Sequence, residues 1–262
     1  MTRRVFGLVC AGILGATILL TGFSAPAGAQ AGRQDPAVFR NGQWFSAFIT
    51  NINQQDSGVT NAAAFAYGNS TDFPLMCDFD GNGTATPTVF RNGQWFANDQ
   101  MDSSAPEHTF FFGQAGDIPF CGDFNSSGHD SPGVFRNGVW FYRNSVSSGF
   151  ADHYFVYGDP GDFPVVGDWT NSGHDSPGIV RGGLWILRDS DTSGYGDTVF
   201  GFGNGLAAGD FPIVGDWNFD GVATAGVVRG GAWFLTDSPT GATLNHVFAY
   251  GNPGDFPLVT TD

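Results

Sequence analysis

The chain has 262 residues, with 25 acidic side chains against ten basic ones, all of them Arg, and a formal net charge of −15 at pH 7. An acidic surface without lysine excludes nucleic acid and anionic lipid as natural partners, because both repel it. Forty Gly, fourteen Pro and 15% aromatic residues describe short strands joined by tight turns, and every acid except Glu107 is Asp, a turn residue.

In chain order, Arg3 and Arg4 precede an apolar run from Val5 to Leu20 and a small-residue exit at Ala27-Gly28-Ala29. That pattern predicts a secretory signal peptide over 1–29. A retained anchor is the rival, and the exit with its Pro26 argues against it. No later segment is long and apolar enough to span a bilayer as a helix. Residues 30–34 read as a short linker, and 35–262 as one extracellular domain. Since only Arg residues leave with the leader, the secreted chain is more acidic still.

The rest is a repeat. The Asp of G-D-F-P recurs at Asp72, Asp117, Asp162, Asp210 and Asp255, and the opening of V-F-R-N-G-x-W at Val38, Val89, Val134, Ile179 and Val227. The period, about 45 residues, is that of a propeller, solenoid or array. Within one copy, Phe163 to Val166, Gly178 to Arg181, Leu184 to Arg188 and Thr198 to Phe202 read as four strands. The second and third are joined by two-residue turns such as Asn41-Gly42, Asn92-Gly93 and Asn137-Gly138, a strong hairpin signal because both residues take positive φ. The strands are apolar on both faces, as blades packed between two neighbours must be.

The chain ends complement each other. Asp35-Pro36-Ala37-Val38 matches Ser131-Pro132-Gly133-Val134, so the first copy lacks its first strand, and Asp255 to Asp262 supplies one at the other end. Pairing them removes an edge. The expected fold is all-β: a five-bladed β-propeller of four-stranded blades, closed by its N- and C-terminal segments.

Phe155 to Gly158, Phe200 to Gly203 and Phe248 to Gly251 close their copies with F-x-Y/F-G, and a G-D and an acidic loop follow. In these features the chain resembles the FG-GAP/VCBS repeats of integrin-α-like propellers in their bacterial secreted form, over roughly 35–262. The resemblance implies adhesion or ligand binding, and calcium held by alternating loop oxygens. Asp78, Asp80, Asn82 and Thr84 fit that loop, as do Asp216, Asn218, Asp220 and Val222, although Thr86 and Thr224 stand where an acid is expected. The loops from Asp123 and Asp168 are poorer but gain Asp130 and Asp175. A metal-free Asx turn has the same shape.

Symmetry weighs the remaining candidates. His108, His153 and His246 share one repeat position and His129 and His174 another, so they do not converge as metal ligands. Arg40, Arg91, Arg136, Arg181 and Arg229 are expected to pair with recurring Asp, and Trp44, Trp95, Trp140, Trp185 and Trp233 to pack inside blades rather than stack on sugars. The insert over 46–61 and the loop with Asp99, Asp102 and Glu107 break the symmetry, and such acids suit a glycan-active hydrolase or lyase. No catalytic motif supports them. The favoured reading is a non-enzymatic binding or adhesion module for an extracellular glycan or cell-surface protein. Cys77 and Cys121, offset by one residue in consecutive copies, have the parity for a disulfide between blades; two buried free thiols are the alternative.

Overall fold

The computed structural model describes residues 34–49 and 59–261; the expected signal peptide and residues 50–58 of the expected insert lie outside them. Twenty strands and one short 3-10 turn, Leu206–Ala208, make up the regular structure of the described residues. Blade 1 contains β4 (Phe73–Cys77), β5 (Thr86–Arg91), β6 (Gln94–Ala97) and β7 (His108–Phe111). Blade 2 contains β8 (Ile118–Gly122), β9 (Ser131–Arg136), β10 (Val139–Tyr142) and β11 (His153–Val156). Blade 3 contains β12 (Phe163–Gly167), β13 (Ser176–Arg181), β14 (Leu184–Leu187) and β15 (Thr198–Gly201). Blade 4 contains β16 (Phe211–Gly215), β17 (Thr224–Arg229), β18 (Ala232–Leu235) and β19 (His246–Ala249).

The closing blade draws on both ends of the chain. Its strand order is β20 (Phe256–Thr261), β1 (Gln34–Arg40), β2 (Gln43–Ile49) and β3 (Val59–Ala66). In it Ala37 lies opposite Leu258 and Phe39 opposite Phe256, all antiparallel. The protein is thus a five-bladed propeller of four-stranded antiparallel sheets. Gln34, assigned to the linker by sequence, already belongs to β1.

Each recurring residue has a mechanical task. The hairpin turns place Asn137 at φ 51° and Gly138 at φ 85°, as an Asn-Gly turn requires. The five Trp side chains are all but fully buried. Each donates its indole N–H to the carbonyl just before the closing glycine: Trp44 to Tyr67, Trp95 to Phe112, Trp140 to Tyr157, Trp185 to Phe202 and Trp233 to Tyr250, at 2.8–3.1 Å. The opening Val or Ile crosses to the previous blade: Val134 packs into the core of blade 1, Ile179 of blade 2, Val227 of blade 3, Val38 of blade 4 and Val89 of the closing blade. Five small cores are thereby threaded into one ring.

Backbone and side-chain hydrogen bonds join the loops of successive blades. Asp130 N–H donates to the Asp78 carbonyl, and Asp78 N–H returns to the Asp130 carboxylate at 2.8 Å. Asp175 and Asp123 repeat this exchange. At the ring closure Asp216 N–H donates to Gln34 Oε1, and Ala85 N–H to Thr261 Oγ1. Cys77 and Cys121 form a disulfide between blades 1 and 2.

Candidate functional site between the blades

The inner strands β4, β8, β12, β16 and β20 line an axial cavity of about 210 Å³ that is ringed by Pro74, Pro119, Pro164, Pro212 and Pro257. Phe73, Phe256, Phe211 and Phe163 pack edge to face in sequence, with centroids 4.4–5.2 Å apart. The cavity lining carries no titratable side chain.

The recesses between blades are chemically richer. Tyr67, Gly68, Val89, Arg91 and Phe96 line one of about 290 Å³ between the closing blade and blade 1, together with Ser103, Ser104 and Pro106. The same repeat positions line a recess of about 390 Å³ between blade 4 and the closing blade (Tyr250, Gly251, Val38, Arg40, Phe45). They line another of about 170 Å³ between blades 3 and 4 (Phe202, Gly203, Val227, Arg229, Phe234).

Each recess is built on a fork. Arg91 donates Nε and Nη2 to the two oxygens of Asp72 at 2.6 and 2.7 Å. Arg136 with Asp117, Arg181 with Asp162, Arg229 with Asp210 and Arg40 with Asp255 do the same. The recurring Arg therefore pairs with the recurring Asp of G-D-F-P. The closing glycine sits over this fork at positive φ, and a Cβ on Gly68 would lie 3.0 Å from Asp72 Oδ2 and 2.8 Å from Val89 Cγ1. That contact and the αL backbone explain why F-x-Y/F is followed by Gly. Burial opposes ionisation of Asp255 and Asp210, but the guanidinium and a backbone N–H outweigh it and hold both below the usual carboxylate range.

The fork leaves the guanidinium lying over an aromatic ring, 4.9 Å from Phe96 for Arg91 and 5.0 Å from Phe45 for Arg40. The lining of two recesses includes a tyrosine. The Tyr67 and Tyr250 hydroxyls are buried and have no hydrogen-bond partner among the described residues. Tyr157, their counterpart at the interface of blades 2 and 3, donates to the Ile186 carbonyl at 2.8 Å. Burial, assisted by Asp255, pushes the Tyr250 hydroxyl up to about 12.

The acids singled out by sequence have structural work. Glu107 accepts the Asp99 N–H, as Asp152 accepts that of Asn144 and Asp197 that of Asp189. Asp99 meets His108 at 3.1 Å, as Asp237 meets His246 at 2.7 Å. Asp99 and Glu107 therefore hold the third-to-fourth-strand arm of their blade, a repeat-wide task, and do not break the symmetry as expected. Asp102 is unmatched in the other arms, and the Ser104 hydroxyl and N–H hold it below the usual range, the wrong direction for a general acid.

The calcium-type loops close on their own N–H groups. Asp78 accepts from Gly81, Asn82 and Gly83, and Asn82 Oδ1 accepts from Thr84 at 2.8 Å. Asp216 accepts from Asp220 and Gly221, and Asp220 from Val222. Asn218 joins Asp220 through its amide, as Asn82 joins Asp80. The loops from Asp123 and Asp168, which are poorer in ligands, adopt the same turn. Thr86 and Thr224 donate to the Cys77 and Gly215 carbonyls, so their hydroxyls serve the strands. Asp130 and Asp175 do not complete their own loops; they face the preceding blade. The donor set is a partial one: two carboxylates and an amide per loop, against the six to eight oxygens calcium takes. Among the described residues, the one group of three metal-type side chains is Cys77, Cys121 and Asp130, whose sulfurs are bonded to each other.

No family model and no curated protein matches the chain. Among solved structures it is similar to an Agrocybe aegerita lectin described as recognising non-reducing terminal N-acetylglucosamine, at 14% identity over 84% of this chain and 63% of that one, with a TM-score of 0.45. It is also similar to BBS1N in its complex with ARL6DN, at 9% identity over 86% of this chain and 70% of that one, with a TM-score of 0.39. The chain thus spans less than two thirds of the lectin's length. Likenesses at this level carry no argument about a ligand.

Proposed function

We propose that this protein is a secreted binding module of FG-GAP/VCBS type that takes glycan residues in the recesses between its blades. One observation carries the reading: the same set of ring, guanidinium and positive-φ glycine recurs at three interfaces, and in two of them a buried tyrosine hydroxyl lacks a protein partner. A flat apolar face beside a few fixed polar groups suits a pyranose, which is apolar on its C–H face and polar at its rim. A buried hydroxyl without a partner is costly, and a sugar hydroxyl that reaches it as the recess opens removes that cost.

Glycan-array screening followed by calorimetry tests this. Binding of more than one sugar per chain is expected, and Tyr67→Phe with Tyr250→Phe should weaken it while keeping or raising the melting temperature. Absence of any sugar ligand, retention of a protein alone, or affinity indifferent to the double substitution would overturn the reading.

A further inference from the structure

The outer rim carries a feature that the repeat does not need. In blades 1, 2 and 3 the arm joining the third and fourth strands reaches back over the outermost strand of the blade before it. Ser103 accepts the N–H of Ala66, Ser148 that of Phe111 and Ser193 that of Val156. The residue two places further along the arm stands at its tip. In blade 1 it is Ala105 and in blade 4 Thr243; in blades 2 and 3 it is Phe150 and Tyr195. Phe150 is 95% exposed and Tyr195 93%.

The strand residues between these tips follow the same bias. Phe111, Tyr154, Val156 and Val199 are all exposed on the outer strands β7, β11 and β15. Their counterparts on the closing blade, Ala64 and Ala66, are small. Hydrogen bonds place the elements in one row. Ser148 and Gly149 bond to Phe111, which puts Phe150 beside β7, and Ser193 bonds to Val156, which puts Tyr195 beside β11.

A single exposed apolar residue needs no explanation, but aromatic residues at one repeat position, confined to adjacent blades, do. Folding does not ask for them, since Ala and Thr hold the same place elsewhere. The arms stand without them: Arg143 donates to the Phe150 carbonyl and to Ser147, and Arg188 to the Tyr195 carbonyl and to Thr192.

We infer that this strip is a docking surface for an extended, uncharged polysaccharide, with Phe150 and Tyr195 as stacking platforms. Charge selects the occupant. The molecule is strongly acidic, so a polyanionic chain is repelled, and both guanidinium groups of the strip are spent on their own arms. Each ring-bearing arm also carries paired hydroxyls, Ser145 with Ser147 and Ser190 with Thr192. Rings with hydroxyls in the same arm suit a sugar chain better than the continuous apolar centre of a protein interface. The surface extends the glycan reading but uses none of the recess residues, so either can fail alone.

The test is retention of the full secreted chain on microcrystalline cellulose, chitin and insoluble β-1,3-glucan, beside Phe150→Ala/Tyr195→Ala and, separately, Tyr67→Phe/Tyr250→Phe. Both tip side chains are solvent-exposed, so that variant should melt with the parent. Expected is retention of the parent on at least one matrix and a roughly tenfold or greater loss for the tip variant, the effect of removing two anchoring rings. Retention undiminished in the tip variant, retention lost only in the recess variant, or no retention of the parent on any of the three would overturn the inference.

Discussion

Arg40 and Asp255 stand 215 residues apart in sequence and form a bidentate ion pair at 2.5 and 2.6 Å. It is the fork that Arg91 makes with Asp72 nineteen residues away, transferred to the seam where the two chain ends share a sheet. The seam is therefore closed by the same unit that builds every other blade.

This yields a graded test of closure. Arg40→Met strands a buried Asp255, and a cost of about 1–2 kcal/mol is expected once the partial exposure of the guanidinium is allowed for. Deleting 253–262 removes β20 itself and bares β1 as an edge. Circular dichroism melting should show a lowered midpoint for the substitution and loss of a cooperative transition, or aggregation, for the deletion. A truncated chain that melts like the parent would mean that the ring does not depend on its seam.

The disulfide occupies a place filled differently at other interfaces. A Cβ on Gly122 would lie 2.6 Å from Val166 Cγ1, and one on Gly167 2.9 Å from Val214 Cγ1; Cys77 and Cys121 replace such a Gly–Val pair. Cys77→Gly with Cys121→Val should keep the packing and lose only the cross-link. For a loop of this length the loss is about 4 kcal/mol in the chain-entropy model. Differential alkylation with mass spectrometry should find both cysteines protected in the unreduced, denatured parent, and the double variant should melt lower without change in its near-UV spectrum.

Two opposite acid responses are built in. Asp130 and Asp175 are buried carboxyls whose ionisation is opposed first by burial and then by neighbouring acids, so their protonation lies above the usual range. Such groups bind protons more tightly folded than unfolded. Their contribution is full below the unfolded value near 4 and is lost as pH rises through the raised folded value. Asp210 and Asp255 lie below the usual range, so their contribution is full above the unfolded value and is lost as pH falls through the lowered one. Stability should rise on mild acidification from neutrality and fall in stronger acid. Asp130→Asn keeps an acceptor for the Asp78 N–H and should raise the melting temperature at pH 7 while flattening the acid gain. A melting temperature that declines steadily from pH 7 downward in the parent would contradict this.

The loops at Asp78 and Asp216 hold their shape through N–H donors, with a partial set of calcium oxygens. Chelation is expected to leave the melting temperature unchanged, while millimolar Ca²⁺ raises it through weak preferential binding to the folded state. At ten times the dissociation constant that is worth ~1.4 kcal/mol. Calorimetry with no heat of binding and no thermal shift would remove calcium from the account.

The repeat was legible from spacing because propeller blades are chemically alike: Trp, Arg, Asp and Gly recur wherever the same fork, indole bond and αL turn recur. Complementary ends pointed to closure for the same reason, and the parity of Cys77 and Cys121 allowed the bond between blades that the structure forms, with free thiols as the alternative. What no linear pattern held were the partners across an interface. Asp130 and Asp175, beside their own loops in sequence, serve the preceding blade because neighbouring loops meet edge to edge. Asp99 and Glu107 looked asymmetric in composition, yet they occupy arm positions that Asp, Asn and Glu fill alike, because any side-chain oxygen there can accept the arm's N–H. Nothing in the repeat marks Phe150 and Tyr195, since exposure is decided by where an arm lands. Local chemistry sets the unit and its number, and contact between units decides which side chains are spent on the ring and which are left for a ligand.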